Sequence, residues 1–243
     1  MRLAILSDIH GNYEALQEIV CDFKKSNIDS VIFLGDLVMK GPEPKEVFET
    51  LKKLNPICWI KGNTELWLSD KRTQNESINS TLKEIELYRN FAIERLSIDS
   101  INFMLGCPEK KSLTIENKTF LCVHGSPRSI TEALYPNNNF KDTIESVKED
   151  VILCGHSHIP FKQKIGNKIL FNPGSVGCSY DGEADTSYGI IDITQASIDF
   201  SIKRLNYPIT KLIANAKKEN FPNLEAYANL IKEAKNYRKE LKL

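Results

Sequence analysis

Nowhere in the 243-residue chain do about 18 apolar residues run together, so no membrane-spanning helix is expected. The opening Met1-Arg2-Leu3-Ala4-Ile5-Leu6-Ser7-Asp8 is too short an apolar run for a secretory leader and lacks a small-residue cleavage site, so a cytoplasmic location is expected. Excess charge of either sign is missing too, with 32 basic against 32 acidic side chains. Binding to a nucleic-acid backbone usually shows as a basic excess, so the balance gives no strong nucleic-acid signal. The six cysteines (Cys21, Cys58, Cys107, Cys122, Cys154, Cys178) form no C-x-x-C pair, and several fall inside apolar strand-like runs. They read as buried free thiols in a reducing compartment. Repeats, low-complexity tracts and linkers are lacking as well. The expectation is a single domain over 1–243 with a substantial core.

What is present is an alternation of short apolar runs with amphipathic stretches, the pattern of βαβ units and a largely parallel sheet. Strands are expected at Leu3–Leu6, Val31–Leu34 and Ile57–Ile60, and helices at Tyr13–Lys25 and Pro44–Leu54. Helical periodicity then runs over 66–105, with Ile85, Tyr88, Phe91, Ala92 and Leu96 at spacings of three and four. That segment is expected to pack on the core, with a cap over the site as the alternative. From Ser112 the runs shorten and alternate, suggesting mostly antiparallel strands. Helices follow over 207–243, where Leu224, Tyr227, Ile231, Ala234, Tyr237 and Leu241 fall on one stripe. Such a stripe packs on the body or serves as a contact between copies in a homo-oligomer.

Histidine is scarce, and its placement is informative. The four histidines (His10, His124, His156, His158) all sit in Gly- or Asp-containing turns at the ends of expected strands: Asp8-Ile9-His10-Gly11, His124-Gly125 and Gly155-His156-Ser157-His158. Loops leaving the carboxyl edge of an α/β sheet converge on a crevice, so the imidazoles can meet there. Asp8 and Asp36 take matching positions after the first two strands, and Asn63 follows the third. A carboxylate placed directly after a buried strand needs a partner. A divalent cation is such a partner, because neutral imidazole and carboxylate suit Mn, Fe or Zn without thiolate. Asp8 alone reads equally well as a helix cap, and Gly62-Asn63-Thr64-Glu65 alone as a turn and helix start.

In order, the motifs D-x-H, G-D, G-N-x-E, H-G and G-H-x-H resemble those of the calcineurin-like metallophosphoesterase superfamily. Ser7-Asp8-Ile9-His10-Gly11-Asn12, Gly35-Asp36-Leu37-Val38 with Gly41-Pro42-Glu43-Pro44, and Asn172-Pro173-Gly174-Ser175 look like its small bacterial and archaeal phosphodiesterase branch. The resemblance spans 1 to about 205. It implies an α/β fold, a four-layer α/β/β/α sandwich, with two divalent metal ions at the strand ends. One ion would be held by Asp8, His10 and His158, the other by Asn63, His124 and His156, with Asp36 bridging. Manganese is favoured over Fe, Zn, Ni, Co or Mg. Asp36, Asn63 and His124 are expected in the catalytic machinery, and Asn12, Arg128 and Asn172 in substrate contact.

Two divalent ions against the charges of Asp8 and Asp36 leave a positive surplus suited to a phosphoester, and metal coordination brings a water pKa down to about 7. The expected partner is a small phosphoester, and the expected reaction is attack of a metal-bridging hydroxide on a phosphodiester. Thr64 stands where many superfamily members have a histidine that serves the leaving group, which shifts the expectation toward esters with good leaving groups. The alternatives are a phosphomonoesterase acting on phosphoprotein or nucleotide, and a non-catalytic metal-binding scaffold of the same fold.

Overall fold

A computed structural model of the chain describes residues 1–69 and 80–235. In chain order the strands are β1 (Arg2–Leu6), β2 (Ser30–Phe33), β3 (Cys58–Trp59), β4 (Lys110–Ile115), β5 (Lys118–Val123), β6 (Val151–Leu153), β7 (Phe161–Ile165), β8 (Lys168–Asn172), β9 (Thr186–Ile193) and β10 (Ile198–Leu205). The helices are α1 (Tyr13–Ser26), α2 (Pro44–Leu54), α3 (Asn63–Leu66), α4 (Ser80–Ile93), α5 (Ile98–Gly106), α6 (Lys141–Glu145), α7 (Ile209–Lys218) and α8 (Leu224–Glu233).

Local chemistry sets the helix ends. Asn12 accepts the Ala15 N–H at 3.0 Å to cap α1, and Asn27 takes a left-handed conformation at its other end. Asn55 ends α2 in the same way, and Pro44 opens it where no N–H partner is needed. Ser97 caps α5 through the Ser100 N–H.

The strands form two five-stranded sheets, ordered β10-β9-β1-β2-β3 and β4-β5-β6-β8-β7. Side chains alternate across each strand, and this parity builds the layers. Leu3, Ile5 and Ile32 of the first sheet meet Phe120, Cys122, Leu153 and Phe171 of the second in a dry core between the sheets. Ala4, Leu6, Val31 and Phe33 face the other way, onto Leu16, Ile19, Val47 and Leu51 of α1 and α2. Leu121, Ile152 and Leu170 on the outer face of the second sheet pack with Ile144 of α6. The result is the expected four-layer α/β/β/α sandwich.

The second half is less antiparallel than its short runs suggest. β4 and β7 are antiparallel edges, but β5, β6 and β8 pair in parallel. The β5 to β6 connection is long enough to cross over and carries α6, a helix absent from the expectation. Strand β7 was not expected either, since Phe-Lys-Gln-Lys-Ile buries only its two ends, as an edge strand does.

The stretch 66–105 is not one helix. Its described residues form α4 and α5, with residues 70–79 outside the described set. Tyr88, Phe91 and Ala92 of α4 join the core, and Phe221 lies 5.4 Å from the Tyr88 ring and 5.0 Å from the Phe91 ring. Tyr227, Ile231 and Ala234 of the C-terminal stripe are buried in the body, and Leu224 packs against it. Tyr237 and Leu241 lie outside the described residues. All six cysteines are free, and five are buried, Cys21 being exposed. Among the described residues no helix is long and apolar enough to cross a membrane.

Candidate metal centre

The parallel strands of both sheets point their carboxyl ends at one place. Asp8 follows β1, Asp36 follows β2, and Asn63 opens α3 after β3. From the second sheet His124 follows β5, and His156 and His158 follow β6. All seven residues expected as ligands therefore meet. Their backbones are unusual: Asp8, His10, Asp36, His156 and His158 all have positive φ, between 47° and 64°. Non-glycine residues rarely adopt this conformation, which costs on the order of 1 kcal/mol or more each, so the surrounding fold must impose it.

Two trios result. Ligand atoms of Asp8, His10 and His158 lie within 4.8 Å of one another, as do those of Asp36, His124 and His156. Within them His10 Nε2 approaches His158 Nε2 to 3.2 Å, and His124 Nε2 approaches His156 Nδ1 to 3.2 Å. Asn63 Oδ1 is 3.0 Å from His124 Nε2 and so belongs with the second trio. Asp36 stands between them, its Oδ2 3.6 Å from His10 Nε2 and its Oδ1 3.5 Å from His124 Nε2.

Backbone carbonyls fix the imidazoles. His10 Nδ1 donates to the Met39 carbonyl at 2.9 Å, His124 Nδ1 to Leu34 at 2.8 Å, His158 Nδ1 to Cys178 at 2.5 Å and His156 Nε2 to Thr131 at 3.1 Å. Each ring thus spends one nitrogen outward and turns the other toward the centre, as metal-ligating histidines do. Asp8 Oδ1 is buried and approached by His158 Nε2 at 3.2 Å, yet no aligned hydrogen bond satisfies it. Hard carboxylate oxygens, one amide oxygen and four imidazole nitrogens, with a buried oxygen left over, fit two divalent cations.

The titration pattern agrees with that fit. Burial pushes all four imidazoles down, and for His10 and His156 it wins, to about 3 and about 4. For His124 and His158 the carboxylates of Asp36 and Asp8 overcome burial and push them up to about 9 and about 10. Burial would raise both aspartates, but the facing imidazoles outweigh it and hold Asp8 and Asp36 below the usual carboxylate range. Without a metal, His124 and His158 are held in their charged form by Asp36 and Asp8, where a metal ion would supply the positive charge.

Glu65 is a structural partner that its place in the G-N-x-E motif alone did not single out. Its carboxylate accepts the Asp36 N–H at 2.8 Å, the Leu37 N–H at 2.7 Å and the Gly62 N–H at 2.6 Å. Burial and the Asp36 charge still push it up to about 7. Ser7 donates to Asp8 Oδ2 at 2.6 Å, fixing that carboxylate from the other side. The sequence signal for both is adjacency, each lying within two residues of a ligand.

The expected substrate contacts are placed otherwise. Asn12 is fully buried, capping α1 and donating to the Gly177 carbonyl at 2.9 Å. Asn172 is fully buried too; it donates to the Gly155 carbonyl at 2.8 Å and to Ser157 Oγ at 3.0 Å, and so holds the His156–His158 turn. Arg128 is exposed and pairs with Glu132 one helical turn away in number. Turn geometry and a surface ion pair account for all three. Thr64 gives its N–H to Asp36 Oδ1 at 2.9 Å, and its side chain is fully buried rather than presented to a ligand.

Beside the trios lies a cavity of about 330 Å³, with Asp36, His156 and His158 on its floor. Ile85 and Tyr88 of α4 and Tyr227 and Leu230 of α8 wall it, so the helices that complete the core also border the site.

With this geometry in hand, comparison with known proteins defines the class. Residues 1–196 match the calcineurin-like phosphoesterase superfamily domain, and the chain belongs to that superfamily. Its relatives include an uncharacterized protein of Methanocaldococcus jannaschii, MJ0912, 30% identical over 90% of this chain and 93% of that protein. The phosphodiesterase YfcE of Escherichia coli is 24% identical over 79% of this chain and 88% of its own length. Among solved structures, the hypothetical protein PH1004 of Pyrococcus horikoshii superposes with a TM-score of 0.83 at 19% identity, covering 97% of this chain and 99% of that one. A metallophosphoesterase from Sphaerobacter thermophilus gives 0.79 at 22% identity, covering 96% of this chain and all of that one. Both show that the fold is shared over nearly the whole chain.

Proposed function

We propose that this protein hydrolyses phosphoesters, diesters in preference, using two divalent metal ions. Asp8, His10 and His158 would hold one ion; Asn63, His124 and His156 would hold the other. The observation that carries this reading is the position of Asp36, whose two oxygens face the two trios at 3.6 and 3.5 Å. A pair of divalent ions in such a cage supplies Lewis acidity toward phosphoryl oxygens and brings a water pKa down to about 7.

The chain itself supplies position and charge. Burial of both aspartates and three of the four imidazoles excludes bulk water and strengthens electrostatic interactions inside the cage. Ser7 and the Thr64 N–H hold the carboxylates of Asp8 and Asp36, and Glu65 holds the Asp36 backbone, so the cage is preorganised for a phosphate. Lys40 borders the cavity and lowers both Asp36 and His10, adding positive charge on the substrate side.

Two observations support a diester. The cavity leaves room beside the trios for a second ester arm. The phosphodiesterases YfcE and MJ0936 are relatives at 24% identity. Thr64, buried on Asp36, brings no acid to the leaving group, so good leaving groups remain the expected substrates.

The test is hydrolysis of bis(p-nitrophenyl) phosphate and p-nitrophenyl phosphate with Mn, Mg, Ni, Co, Zn and Fe in turn. The diester is expected to show the higher kcat/KM. A monoester preference would overturn the diester assignment, and two bound ions with no hydrolysis of either ester would overturn the enzyme reading.

A further inference from the structure

The cavity beside the trios has a lining that phosphoryl chemistry does not require. Trp67, Tyr88, Tyr135, Tyr180 and Tyr227 all border it. Tyr180 lies flat on His158, with ring centroids 4.1 Å apart and planes 5° from parallel, so an aromatic surface continues outward from the first trio. Tyr227 is 4% exposed, and its hydroxyl has no hydrogen-bond partner among the described residues. A buried hydroxyl left unpaired is costly, so Tyr227, at the cavity wall, carries a donor whose hydrogen bond is unmet. Among the described lining residues Lys40 is the one lysine or arginine, with Nζ 5.4 Å from the centre of the Trp67 ring.

These features specify a ligand. Broad aromatic walls favour a planar ring over an aliphatic chain, because ring faces stack with offset or edge contacts. Stacked, sequence-tolerant recognition of bases on aromatic side chains follows the same physics. One lysine beside the cage balances a single phosphate charge, as a diester carries. A volume of about 330 Å³ admits one ring system of one or two rings.

Building on the phosphodiesterase reading, we propose that this cavity is a subsite for an aromatic ester arm. The arm is a planar ring system with a hydrogen-bond acceptor for Tyr227, as borne by nucleosides and some aryl esters, and Lys40 meets the phosphate. The rings of Trp67 and Tyr180 set the preference for planarity. Tyr227 selects among planar groups, because only those with an acceptor satisfy its hydroxyl.

The test uses binding, so that it stands apart from turnover. Methyl-, cyclohexyl- and phenylphosphonate and a thymidine 5′-methylphosphonate are titrated by calorimetry into the manganese-loaded protein. Phenylphosphonate is expected to bind on the order of tenfold more tightly than methylphosphonate, and more tightly than the cyclohexyl compound of similar size. Thymidine, which offers Tyr227 an acceptor, is expected to bind more tightly than phenyl, and the reverse order would overturn the part assigned to Tyr227. Trp67→Leu should bring the phenyl-to-methyl ratio toward one. Tyr227→Phe should narrow the thymidine-to-phenyl ratio, and Lys40→Met should weaken all four ligands alike. Equal affinity for phenyl and cyclohexyl, or no phosphonate binding at all, would overturn the proposal. Failure of every ester to hydrolyse would instead overturn the enzyme reading, leaving the phosphonate ratios to judge the cavity.

Discussion

Glu65 holds Asp36 through the backbone. Its Oε2 accepts the Asp36 N–H at 2.8 Å and the Gly62 N–H at 2.6 Å, while its Oε1 accepts the Leu37 N–H at 2.7 Å. Two strand ends, those of β2 and β3, are thereby tied by one side chain, and Asp36 is kept in its left-handed conformation at φ 62°. Glu65→Ala leaves three buried N–H groups without a partner. It is expected to cost on the order of 3 kcal/mol in urea unfolding and to reduce bound metal at both sites. Unchanged stability with full metal content would show that the turn holds itself.

Metal loading should release protons. His124 and His158, pushed up to about 9 and about 10, are charged at neutral pH, whereas a metal ligand must be neutral imidazole. One proton must leave each trio as an ion enters, so affinity rises with pH across the interval from 6 to 8. Calorimetry of manganese binding in buffers of different ionisation enthalpy should report about one proton released per ion. Binding that ignores pH over that range would contradict this picture of the metal-free site.

The closeness of the loops can be tested at glycine. A Cβ at Gly62 would overlap Asp36 Oδ1, and one at Gly155 would overlap Ser7 Oγ, so each turn passes its ligand with no room for a side chain. Gly62→Ala should displace the bridging carboxylate and weaken both sites. Gly155→Ala should shift Asp8 through Ser7 and weaken the first site more. Metal content after dialysis, measured for each variant, checks the order.

Much of the geometry of the candidate centre was legible in the sequence, because each expected ligand follows a short apolar strand and the chemistry of such positions is local. Asp8 and Asp36 after β1 and β2, and His124 after β5, could be read in this way. What was not legible depends on distant contacts. Nothing near Lys40, Trp67 or Tyr180 shows that α4 and α8 close beside them to form a cavity. The parallel pairing of β5, β6 and β8 also escaped, since a three-residue strand such as β6 carries no mark of direction. The expectation of substrate contact at Asn12, Asn172 and Arg128 rests on a weaker sign, because a polar residue near a ligand serves a turn or an ion pair as readily as a substrate.

These last residues separate turn support from ligand contact. Arg128→Ala removes a surface pair with Glu132, and exposed pairs contribute only about 0–1 kcal/mol, so KM for a diester should change less than about twofold. Asn172→Ala leaves Ser157 Oγ and the Gly174 N–H without a partner and the Gly155 carbonyl with only the Ser157 N–H, in the buried turn that carries His156 and His158. It should lower stability by about 2 kcal/mol and metal content with it. A large KM effect from Arg128→Ala would restore that residue to the substrate side.

Glu43 provides a pH test at a carboxyl outside the proposed ligand set. Its carboxyl is buried, with Oε1 accepting from Asn215 at 2.8 Å and Oε2 unpartnered. Burial, with the nearby Glu14 and Glu46, pushes it from an ordinary 4.5 up to about 7. A carboxyl raised by folding binds its proton more tightly in the native state, so its contribution to stability is complete below about 4.5 and is lost as pH rises through about 7. Glu43→Gln keeps the acceptor for Asn215 and removes the charge. The variant should match the parent near pH 5 and exceed it by on the order of 2 kcal/mol at pH 8. Paired urea unfolding curves at the two values decide it, and a gain that is the same at both would mean that Glu43 does not titrate in this interval.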